Sequence, residues 1–361
     1  GAAAESLHVG TPPAPWLDEL PALVPLDVVL SGFRQPGHRW LLPLGEYADP
    51  ARQRQDTVLV DLEEGGGLLV FGAVASGKTT ALRTLAAAAV SAPPGGGVVV
   101  FGIDFASRAL RSLEQLPQCA AVACGDDLEA VTRVLALLEQ EVGRRRALLA
   151  GAESLTAHLA SGGAELPRVL LLVDGYTAMR DVFTREGATA AMHGWVERFH
   201  RLLAEGRQVG VHAVVTADRP GAVAPALAAL IGRRLILRQV DERVYVELGV
   251  ASSRARGLEL APGRGLLDAG LLVQVACASG PATDGATQAA QLGVLGRREA
   301  AGPAGVPAVL RSTALSEAEP LPAAVGAEGR RNGQHGWLAT LGVADVTHEA
   351  VTLDLSDGHL L

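Results

Sequence analysis

Short apolar runs alternate with helix-like segments along the first 280 residues of the chain. The segments 79–90, 127–149 and 192–204 are rich in helix-forming residues, and the longest one places apolar side chains at steps of three and four. The apolar runs, bounded by Gly, Pro or Asp, are typical of buried strands and occupy residues 41–44, 58–62, 68–71, 98–101, 169–173 and 211–215. This alternation predicts an α/β domain with a mostly parallel sheet flanked by helices.

The composition of the chain changes on both sides of this pattern. Residues 1–16 are rich in Ala, Gly and Pro, and we expect a disordered or vector-derived tail there. The range 17–280 contains the strand and helix alternation and is predicted to be one module. Residues 281–310 are again rich in Ala, Gly and Pro, which predicts a linker.

A partial internal repeat indicates a second module. Segments 40–45 (WLLPLG) and 58–62 (VLVDL) are echoed by 337–342 (WLATLG) and 351–355 (VTLDL). We therefore predict that residues 311–361 start a following module of the same kind, truncated within this sequence. Chance similarity between short apolar strands is the alternative, because two-residue alternation is common in sheet proteins.

Charge and cysteine content narrow the class of protein. A formal net charge of −8 argues against a dedicated nucleic-acid binder, whose binding face is normally basic. The three cysteines lie at no metal-ligand spacing, which fits a reducing cytosol without disulfides or zinc. No apolar stretch reaches the roughly 18 residues of a membrane span. We expect a cytoplasmic location, as the soluble part of a protein whose membrane anchor lies outside this sequence.

Lysine is almost absent from the chain. The 31 Lys and Arg residues comprise thirty arginines and Lys78. A compositional bias towards arginine accounts for such a skew, so Lys78 marks a position where arginine does not suffice. A compact ammonium on a flexible stem enters a tight phosphate-binding loop that a planar guanidinium does not fit.

Arginines 144–146, at the end of a predicted helix, are expected to be solvent-exposed and to complement the helix dipole.

Lys78 lies in a phosphate-binding motif, the P-loop. Residues 72–79 (GAVASGKT) fit G-x-x-x-x-G-K-[ST] between a predicted strand and a predicted helix, which is the context that the motif requires. Backbone N–H groups and the helix N-terminus bind phosphates, Lys78 reaches the β and γ phosphates, and the Thr79 hydroxyl binds Mg²⁺. We therefore expect ATP and Mg²⁺ as cofactors; a glycine-rich turn without a ligand is the alternative. The predicted nucleotide-binding residues are Gly72, Ala73, Val74, Ala75, Ser76, Gly77, Lys78, Thr79 and Thr80.

Asp174 ends a predicted strand roughly 95 residues after the P-loop. An acidic side chain at such a strand end holds Mg²⁺ in P-loop proteins, so we predict a metal site formed by Thr79 and Asp174. Any buried strand that ends in Asp is the alternative. Hydrolytic enzymes of this class usually carry a glutamate at the next position, but this chain has Gly175, which neither accepts a proton nor orients water. The sequence therefore predicts weak or no hydrolysis.

Residues 206–220 (GRQVGVHAVVTADRP) resemble the segment G-R-x-x-G-I-H, apolar strand, T-x-x-R-P of the FtsK/SpoIIIE superfamily of RecA-like motor ATPases. Within it, the chain is similar to the downstream, degenerate ATPase modules of EccC/EssC-type type VII secretion proteins. This similarity rests on segments 173–175 (VDG), 230–238 (LIGRRLILR) and 262–266 (PGRGL). The resemblance covers about residues 40 to 278 and implies a RecA-like P-loop fold in tandem ATPase modules.

The resemblance also implies roles for individual residues. It makes Thr216 a sensor of the γ-phosphate and, with Asp174, a candidate catalytic residue. Asp218 stands where the family usually has glutamine, and a carboxylate there repels phosphate. His212, in an apolar strand, is expected to be a packed core residue. Candidates for local pairing or for contact with a neighbouring module are Arg219, Arg233, Arg234 and Arg238.

Together these features predict an ATP-binding module of a type VII secretion motor ATPase, with weak or no hydrolysis, whose nucleotide occupancy is coupled to module docking and protein export. By the resemblance, its partners are neighbouring ATPase modules of the same chain, a membrane secretion complex and small helical WXG100-type secreted proteins. One alternative is an active FtsK-like ATP-driven DNA translocase domain. Gly175, Asp218 and the acidic balance argue against that alternative and against DNA as a partner. A structural scaffold with a vestigial loop is the other alternative.

Overall fold

The structure is a computed structural model that describes residues 17–33, 40–62, 66–91, 97–149, 151–185, 194–268, 270–278, 284–299, 306–307, 310, 330–332, 336–343 and 350–354. The tail predicted at residues 1–16 lies outside the described residues. In the described part of the chain, no helix combines the length and apolarity needed to cross a membrane.

Strands and helices alternate through most of the described chain. The strands are β1 Val24–Pro25, β2 Leu41–Asp49, β3 Arg54–Asp61, β4 Gly67–Phe71, β5 Val98–Asp104, β6 Cys119–Cys124, β7 Arg168–Asp174, β8 Val211–Ala217, β9 Arg234–Leu237, β10 Arg264–Leu267, β11 Leu271–Cys277, β12 Arg330–Asn332, β13 Gly336–Val343 and β14 Ala350–Asp354. The α-helices are α1 Leu26–Gly32, α2 Lys78–Val90, α3 Leu128–Leu148, α4 Leu155–Ala160, α5 Tyr176–Phe183, α6 Trp195–Gly206, α7 Pro225–Leu230, α8 Glu242–Glu247, α9 Ser252–Ala255 and α10 Gly285–Glu299.

Strands β1 to β11 form one mixed sheet. Its order is β3-β2-β11-β10-β9-β4-β8-β7-β5-β6, and β1 pairs with β11 outside this path. The neighbours from β9 to β6 are parallel, and those from β3 to β9 are antiparallel. The predicted α/β fold with a largely parallel sheet is confirmed, with an antiparallel extension that the apolar pattern did not predict. The carboxyl ends of β4, β7 and β8 meet at one edge, where open α/β sheets place their ligands.

The parallel strands bury both of their faces. In β7, Val169, Leu171 and Val173 belong to one apolar cluster, whereas Leu170 and Leu172 belong to the other. Helices α3 and α6 contribute to the first cluster and α2 contributes to the second. Burial on both faces explains why these strands appear in the sequence as continuous apolar runs and not as alternating ones.

Part of the predicted linker is an ordered helix. The carboxylate of Asp284 accepts hydrogen bonds from the N–H groups of Ala286 (3.1 Å) and Thr287 (2.9 Å) and so caps α10. Leu292 on α10 is fully buried in the same apolar cluster as α2. A Cβ at Gly296 would lie 2.0 Å from the Gln115 carbonyl oxygen, so α10 approaches its neighbour through a small residue. Residues 284–299 are therefore part of the packed module, and their Ala and Gly content reflects close packing.

Strands β13 and β14 form an antiparallel pair with the register of β2 and β3. Both pairs are interrupted once, at equivalent positions. The matching partners are Leu41–Asp61 and Leu338–Asp354, Leu42–Val60 and Ala339–Leu353, Pro43–Leu59 and Thr340–Thr352, and Gly45–Val58 and Gly342–Val351. The repeat in the sequence thus coincides with a repeated strand pairing.

The arginines that end α3 differ in exposure. Arg145 is fully buried and donates to Glu141 Oε1 at 2.6 Å and to the Val209 carbonyl oxygen at 3.0 Å. Arg144 binds the same buried carboxylate through two nitrogens, and Arg146 pairs with Glu205 at the surface. The prediction of a solvated turn was wrong for Arg145. Arg145 lies seven residues, or about two helical turns, after the buried Leu138 and therefore on the same buried face of α3.

Candidate nucleotide-binding site

The loop at residues 72–77 joins β4 to α2 at the carboxyl edge of the parallel strands. The Gly72 N–H donates to the Ala217 carbonyl oxygen at 3.1 Å, which ties the loop to the end of β8. Gly77 caps α2 with a φ of 107°, and a Cβ there would lie 3.0 Å from Gly263 Cα. The second glycine of the motif is therefore required by both its backbone conformation and its close neighbour.

Lys78 folds back over this loop. Its Nζ donates to the carbonyl oxygens of Gly72 (2.6 Å) and Ala73 (2.9 Å). Burial lowers the pKa of Lys78, while the carboxylates of Asp174 and Asp218 oppose that effect. An ammonium has three donors, so two carbonyl contacts leave one donor for an anion in the loop.

Thr79, Asp174 and Thr216 are brought together from three elements. The Thr79 hydroxyl donates to Asp174 Oδ2 and the Thr216 hydroxyl donates to Oδ1, each at 2.6 Å. The Gly175 N–H in turn donates to Thr216 Oγ1 at 2.9 Å. A hydroxyl has a single donor, and in Thr216 that donor is used on Asp174. In this arrangement Thr216 orients Asp174, which differs from the implied role of donating to a γ-phosphate.

The carboxyl group of Asp174 is fully buried. Burial raises the pKa of Asp174, the hydrogen bonds from Thr216 and Thr79 lower it, and nearby Asp104 raises it further. Asp104 ends β5 in register with Asp174. Its buried carboxylate accepts hydrogen bonds from the N–H groups of Ala106 (2.8 Å), Ser107 (3.0 Å) and Leu110 (2.9 Å). Because two carboxylates share this buried edge, a divalent cation beside Asp174 would stabilise its ionised form.

Gly175 occupies the position that would hold a catalytic glutamate. It occupies the N-cap position of α5 with a φ of 83°, a backbone conformation that L-residues with a side chain rarely adopt. A Cβ there would lie 3.1 Å from the backbone at residues 105 and 106. The backbone conformation of this turn, as well as the residue type, therefore disfavours a carboxylate at position 175.

Asp218 pairs with the helix that follows Asp174. Its Oδ1 accepts a hydrogen bond from the Thr177 hydroxyl on α5. Arg180, also on α5, donates to the Ala222 carbonyl oxygen at 2.7 Å. The segment after β7 and the segment after β8 are thus tied at two points.

The candidate arginines differ in their contacts. Arg233 Nε lies 2.7 Å from Asp268 Oδ2, and the Arg234 N–H donates to the other oxygen at 3.0 Å. Arg238 donates to the carbonyl oxygens of loop residues 74 and 75, at 3.3 and 3.4 Å. Local pairing, one of the two predicted roles, therefore describes Arg233 and Arg238. Arg219 is exposed next to Asp218, and a contact between Arg219 and a neighbouring module stays a prediction.

Gln288 and Arg83 were not identified from the sequence. Gln288 Nε2 donates to Thr80 Oγ1 at 3.3 Å, so α10 reaches the end of the P-loop. The buried Arg83 on α2 donates to the Gly285 carbonyl oxygen at 3.2 Å. The available signal was the capping residue Asp284 ahead of apolar positions three residues apart, but it lies within a composition typical of linkers.

A cavity of about 500 Å³ lies at the P-loop, and its lining includes Lys78, Asp174 and Gln288. This volume lies in the usual range for small-molecule sites. In the described part of the chain, no group of three His, Cys, Asp or Glu residues is placed to hold a metal ion. One carboxylate and one hydroxyl, from Asp174 and Thr79, match Mg²⁺, which takes its other ligands from phosphate and water. The residues present therefore fit a nucleoside triphosphate with Mg²⁺.

Comparison with known proteins extends this picture. Residues 43–277 match the family model of the FtsK/SpoIIIE family. Among curated relatives, the ESX-4 secretion system protein EccC4 of Mycobacterium tuberculosis is 30% identical over 233 residues. That match covers 63% of this chain and 18% of EccC4, so the chain spans less than a fifth of that relative's length.

Two solved structures share the fold. The cytoplasmic domain of the Thermomonospora curvata type VII secretion ATPase EccC has a TM-score of 0.73 at 23% identity, covering 94% of this chain and 40% of that one. The T. curvata EccC ATPases 2 and 3 in complex with a signal sequence peptide have a TM-score of 0.70 at 24% identity, covering 94% of this chain and 62% of that one.

Proposed function

The chain belongs to the FtsK/SpoIIIE family, and from that premise we propose that it is an ATP-binding module of a type VII secretion motor ATPase. The contact that carries the proposal is the 2.6 Å hydrogen bond from Thr79 in the P-loop to Asp174 at the end of β7. It brings together the hydroxyl and the carboxylate that bind Mg²⁺ in P-loop proteins. The similarity to EccC4 supports the assignment to a secretion system.

Each residue of the site has a separate task in this proposal. Lys78 and N–H groups of the loop after Ala73 bind the phosphates, since the N–H groups of Gly72 and Ala73 donate to the carbonyl oxygens of residues 217 and 238. Thr79 and Asp174 hold Mg²⁺, which supplies charge neutralisation at the phosphate oxygens when it is bound. Thr216 orients the carboxylate of Asp174 through its hydroxyl.

Hydrolysis at this site is proposed to be weak or absent. Gly175 provides no carboxylate to activate water, and its backbone conformation disfavours any side chain. Asp218 places a negative charge on the segment after β8, where it repels phosphate. Binding of ATP, and not its turnover, is then the event that the module transmits to its neighbours.

The neighbours proposed for this module are further ATPase modules of the same chain. The pairing of β13 with β14 repeats the pairing of β2 with β3, which supports the start of a following module within 311–361. The match to the EccC structure with ATPases 2 and 3 covers 94% of this chain, a larger share than residues 17–299 alone. The signal sequence peptide in that structure supports secreted proteins as partners, together with a membrane secretion complex reached through other segments.

Calorimetric titration with Mg²⁺-ATP tests the proposal, with wild type beside Lys78→Ala. We expect binding by the wild type and an affinity at least about tenfold lower in the variant, because hydrogen bonds to charged groups contribute about 1.5–3 kcal/mol each. Turnover should lie well below about 1 s⁻¹, the low end of typical enzyme rates. A wild type that binds no ATP would instead support a scaffold. Rapid turnover stimulated by DNA would support a translocase.

A further inference from the structure

Helix α10 is the last α-helix in the described part of the chain, and few apolar contacts hold it to the module. The buried residues of α10 are Gln288, Leu292, Gly293 and Gly296, so Leu292 is the only large apolar side chain among them. Segments with little buried apolar surface separate from a fold at a lower free energy than its core does. The attachment of α10 therefore depends strongly on its polar contacts.

These polar contacts join the first turn of α10 to the P-loop helix α2. Gln288 Nε2 donates to Thr80 Oγ1 at 3.3 Å, and Gln288 Oε1 accepts a bond of 3.4 Å from Arg83 Nη1. Arg83 Nη1 also donates to the Gly285 carbonyl oxygen at 3.2 Å. Residues 80 and 83 are three positions apart, as are residues 285 and 288, so one face of each helix makes all three bonds.

Arg83 also contacts a second segment beside the nucleotide site. Its Nη2 donates to the Ala109 carbonyl oxygen at 2.7 Å, at the start of the 3₁₀ helix Ala109–Gln115. That helix comes shortly after Ala106 and Ser107, which line the cavity at the P-loop. The buried guanidinium of Arg83 therefore connects α10 with two segments that border the cavity.

The hydroxyl of Thr80 connects these contacts to the phosphate site. A threonine hydroxyl has one donor and two acceptor sites, and the bond from Gln288 uses an acceptor site. That bond leaves the donor of Thr80 for a phosphate oxygen in the P-loop. A bound phosphate then ends a chain of hydrogen bonds that begins at Arg83 and runs through Gln288 and Thr80. Hydrogen bonds in such a chain polarise and strengthen one another.

We propose that docking of α10 on α2 and binding of Mg²⁺-ATP stabilise each other through Thr80, Gln288 and Arg83. This coupling deepens the proposed function and rests on it, because it requires that the P-loop binds the triphosphate. If ATP strengthens the docking of α10, then docking of α10 strengthens ATP binding by the same factor. Since α10 precedes strands β12, β13 and β14 in the chain, its docking carries the occupancy of the P-loop towards the segment that follows.

Two variants test the coupling from different positions. Gln288→Ala removes both side-chain bonds of the amide. Gly296→Ala displaces α10 from a position that does not line the cavity, because a Cβ there would lie 2.0 Å from the Gln115 carbonyl oxygen. Hydrogen exchange of the α10 amides, with and without saturating Mg²⁺-ATP, measures docking, and calorimetry measures ATP affinity. Thermal unfolding without ligand checks that each variant is folded.

Each variant has a matched control. Gln291→Ala changes an exposed glutamine on the same helix. Gly143→Ala adds a Cβ to a glycine within α3, where the Cβ would meet no atom within 4 Å. Both controls should match wild type in ATP affinity and in the response of α10 to ATP.

We expect Mg²⁺-ATP to slow exchange of the α10 amides in wild type about threefold to tenfold, the change in an equilibrium that one hydrogen bond supplies. Gln288→Ala and Gly296→Ala should each lower ATP affinity within the same range. Both variants should also lose the slowing of α10 exchange by ATP, because the helix no longer depends on the contact with Thr80.

Three results would overturn the coupling and leave the proposed function intact. The first is equal exchange of α10 with and without ATP in a wild type that binds ATP. The second is weaker binding by Gln288→Ala with the wild-type slowing of exchange, since Gln288 would then act on the nucleotide alone. The third is unchanged ATP affinity in Gly296→Ala. A wild type that binds no Mg²⁺-ATP would instead overturn the proposed function itself.

Discussion

The hydroxyl of Thr216 donates to Oδ1 of Asp174 at 2.6 Å. Because Thr79 occupies Oδ2 of the same carboxylate at 2.6 Å, both oxygens of Asp174 are directed by hydroxyl groups from neighbouring elements. The carboxylate is therefore oriented before any cation arrives. Such orientation reduces the reorganisation that accompanies ligand binding.

Replacing Thr216 by Val keeps the side-chain shape and removes this hydrogen bond. We expect the enhancement of ATP affinity by Mg²⁺ to fall about tenfold, since a hydrogen bond to a charged group is worth about 1.5–3 kcal/mol. Affinity for ATP without Mg²⁺ should stay near the wild-type value. Titrations across a series of Mg²⁺ concentrations measure the difference, and Thr216→Ser should restore the wild-type response. If the serine variant behaved like the valine variant, the hydroxyl would not be the orienting group.

Replacing glycine by alanine should have opposite effects on the stability of the fold at two positions. Gly175→Ala should destabilise the fold by about 1–2 kcal/mol, because a left-handed backbone is costly for residues with a Cβ. Gly143, within α3, has an ordinary backbone, and a Cβ added there would meet no atom within 4 Å, so Gly143→Ala should stabilise the fold by about 0.5–1 kcal/mol. Urea denaturation of both variants measures the difference.

A glutamate at position 175 should not create an efficient ATPase. The new side chain would begin 3.1 Å from the backbone at residues 105 and 106, so the turn must shift before its carboxylate reaches a useful position. We expect turnover by Gly175→Glu to stay within about threefold of wild type, below the 10²-fold or larger gain typical of an effective general base. A coupled assay of phosphate release measures it, and a gain of a hundredfold would show that the turn adapts.

Adjacent arginines at the end of α3 should differ sharply in their contribution to stability. Arg145→Ala leaves the buried Glu141 without one of its partners, and loss of one member of a buried pair costs about 3–5 kcal/mol. Arg146 and Glu205 are 59% and 41% exposed, so Arg146→Ala should cost less than about 1 kcal/mol. Chemical denaturation of the two variants provides the test, and equal losses would contradict it.

His212 should make folding stability depend on pH. Burial, together with the charges of Arg168, Arg207 and Arg145, lowers the pKa of His212 to about 3, and Asp61 opposes this shift. An unfolded histidine titrates near about 6.5, so the unfolded state binds the extra proton as pH falls from there towards 3. Stability should therefore decrease over that window, by about 2 kcal/mol between pH 7 and pH 5.

The comparison of wild type with His212→Leu isolates this effect from other titrating groups. The free energy of unfolding, measured in urea at pH 7 and pH 5, should fall by about 2 kcal/mol more in wild type than in the variant. A parallel fall in both proteins would mean that His212 gains a proton in the folded state.

The sequence was most informative where the residue type at a position has a single physical explanation. Lys78 was identified because a lone lysine in a glycine-rich turn has few roles other than phosphate binding. The strand ending in Asp174 could be placed because a strand buried on both faces is uniformly apolar. The order of the strands β4, β8 and β7, which brings Asp174 to Thr79, was not predicted, because neighbours in this sheet are not consecutive along the chain.

Other features depend on contacts between residues that are distant in the chain, and local sequence patterns do not predict such contacts. Helix α10 was predicted as a linker because its small residues are typical of linkers, whereas their role is close packing against residue 115. Gln288 could not be linked to Thr80, since the two are 208 positions apart. The hydrogen bond from Thr216 to Asp174 depends on side-chain orientation at the ends of two strands, which sequence spacing does not determine.

The left-handed turn at Gly175 limits which residues can follow Asp174. The conformation disfavours every residue with a Cβ, so a side chain at this position requires both a change in the turn and a change in the residue. Chemistry beside Asp174 therefore depends on groups that other elements bring to it, such as the hydroxyls of Thr79 and Thr216.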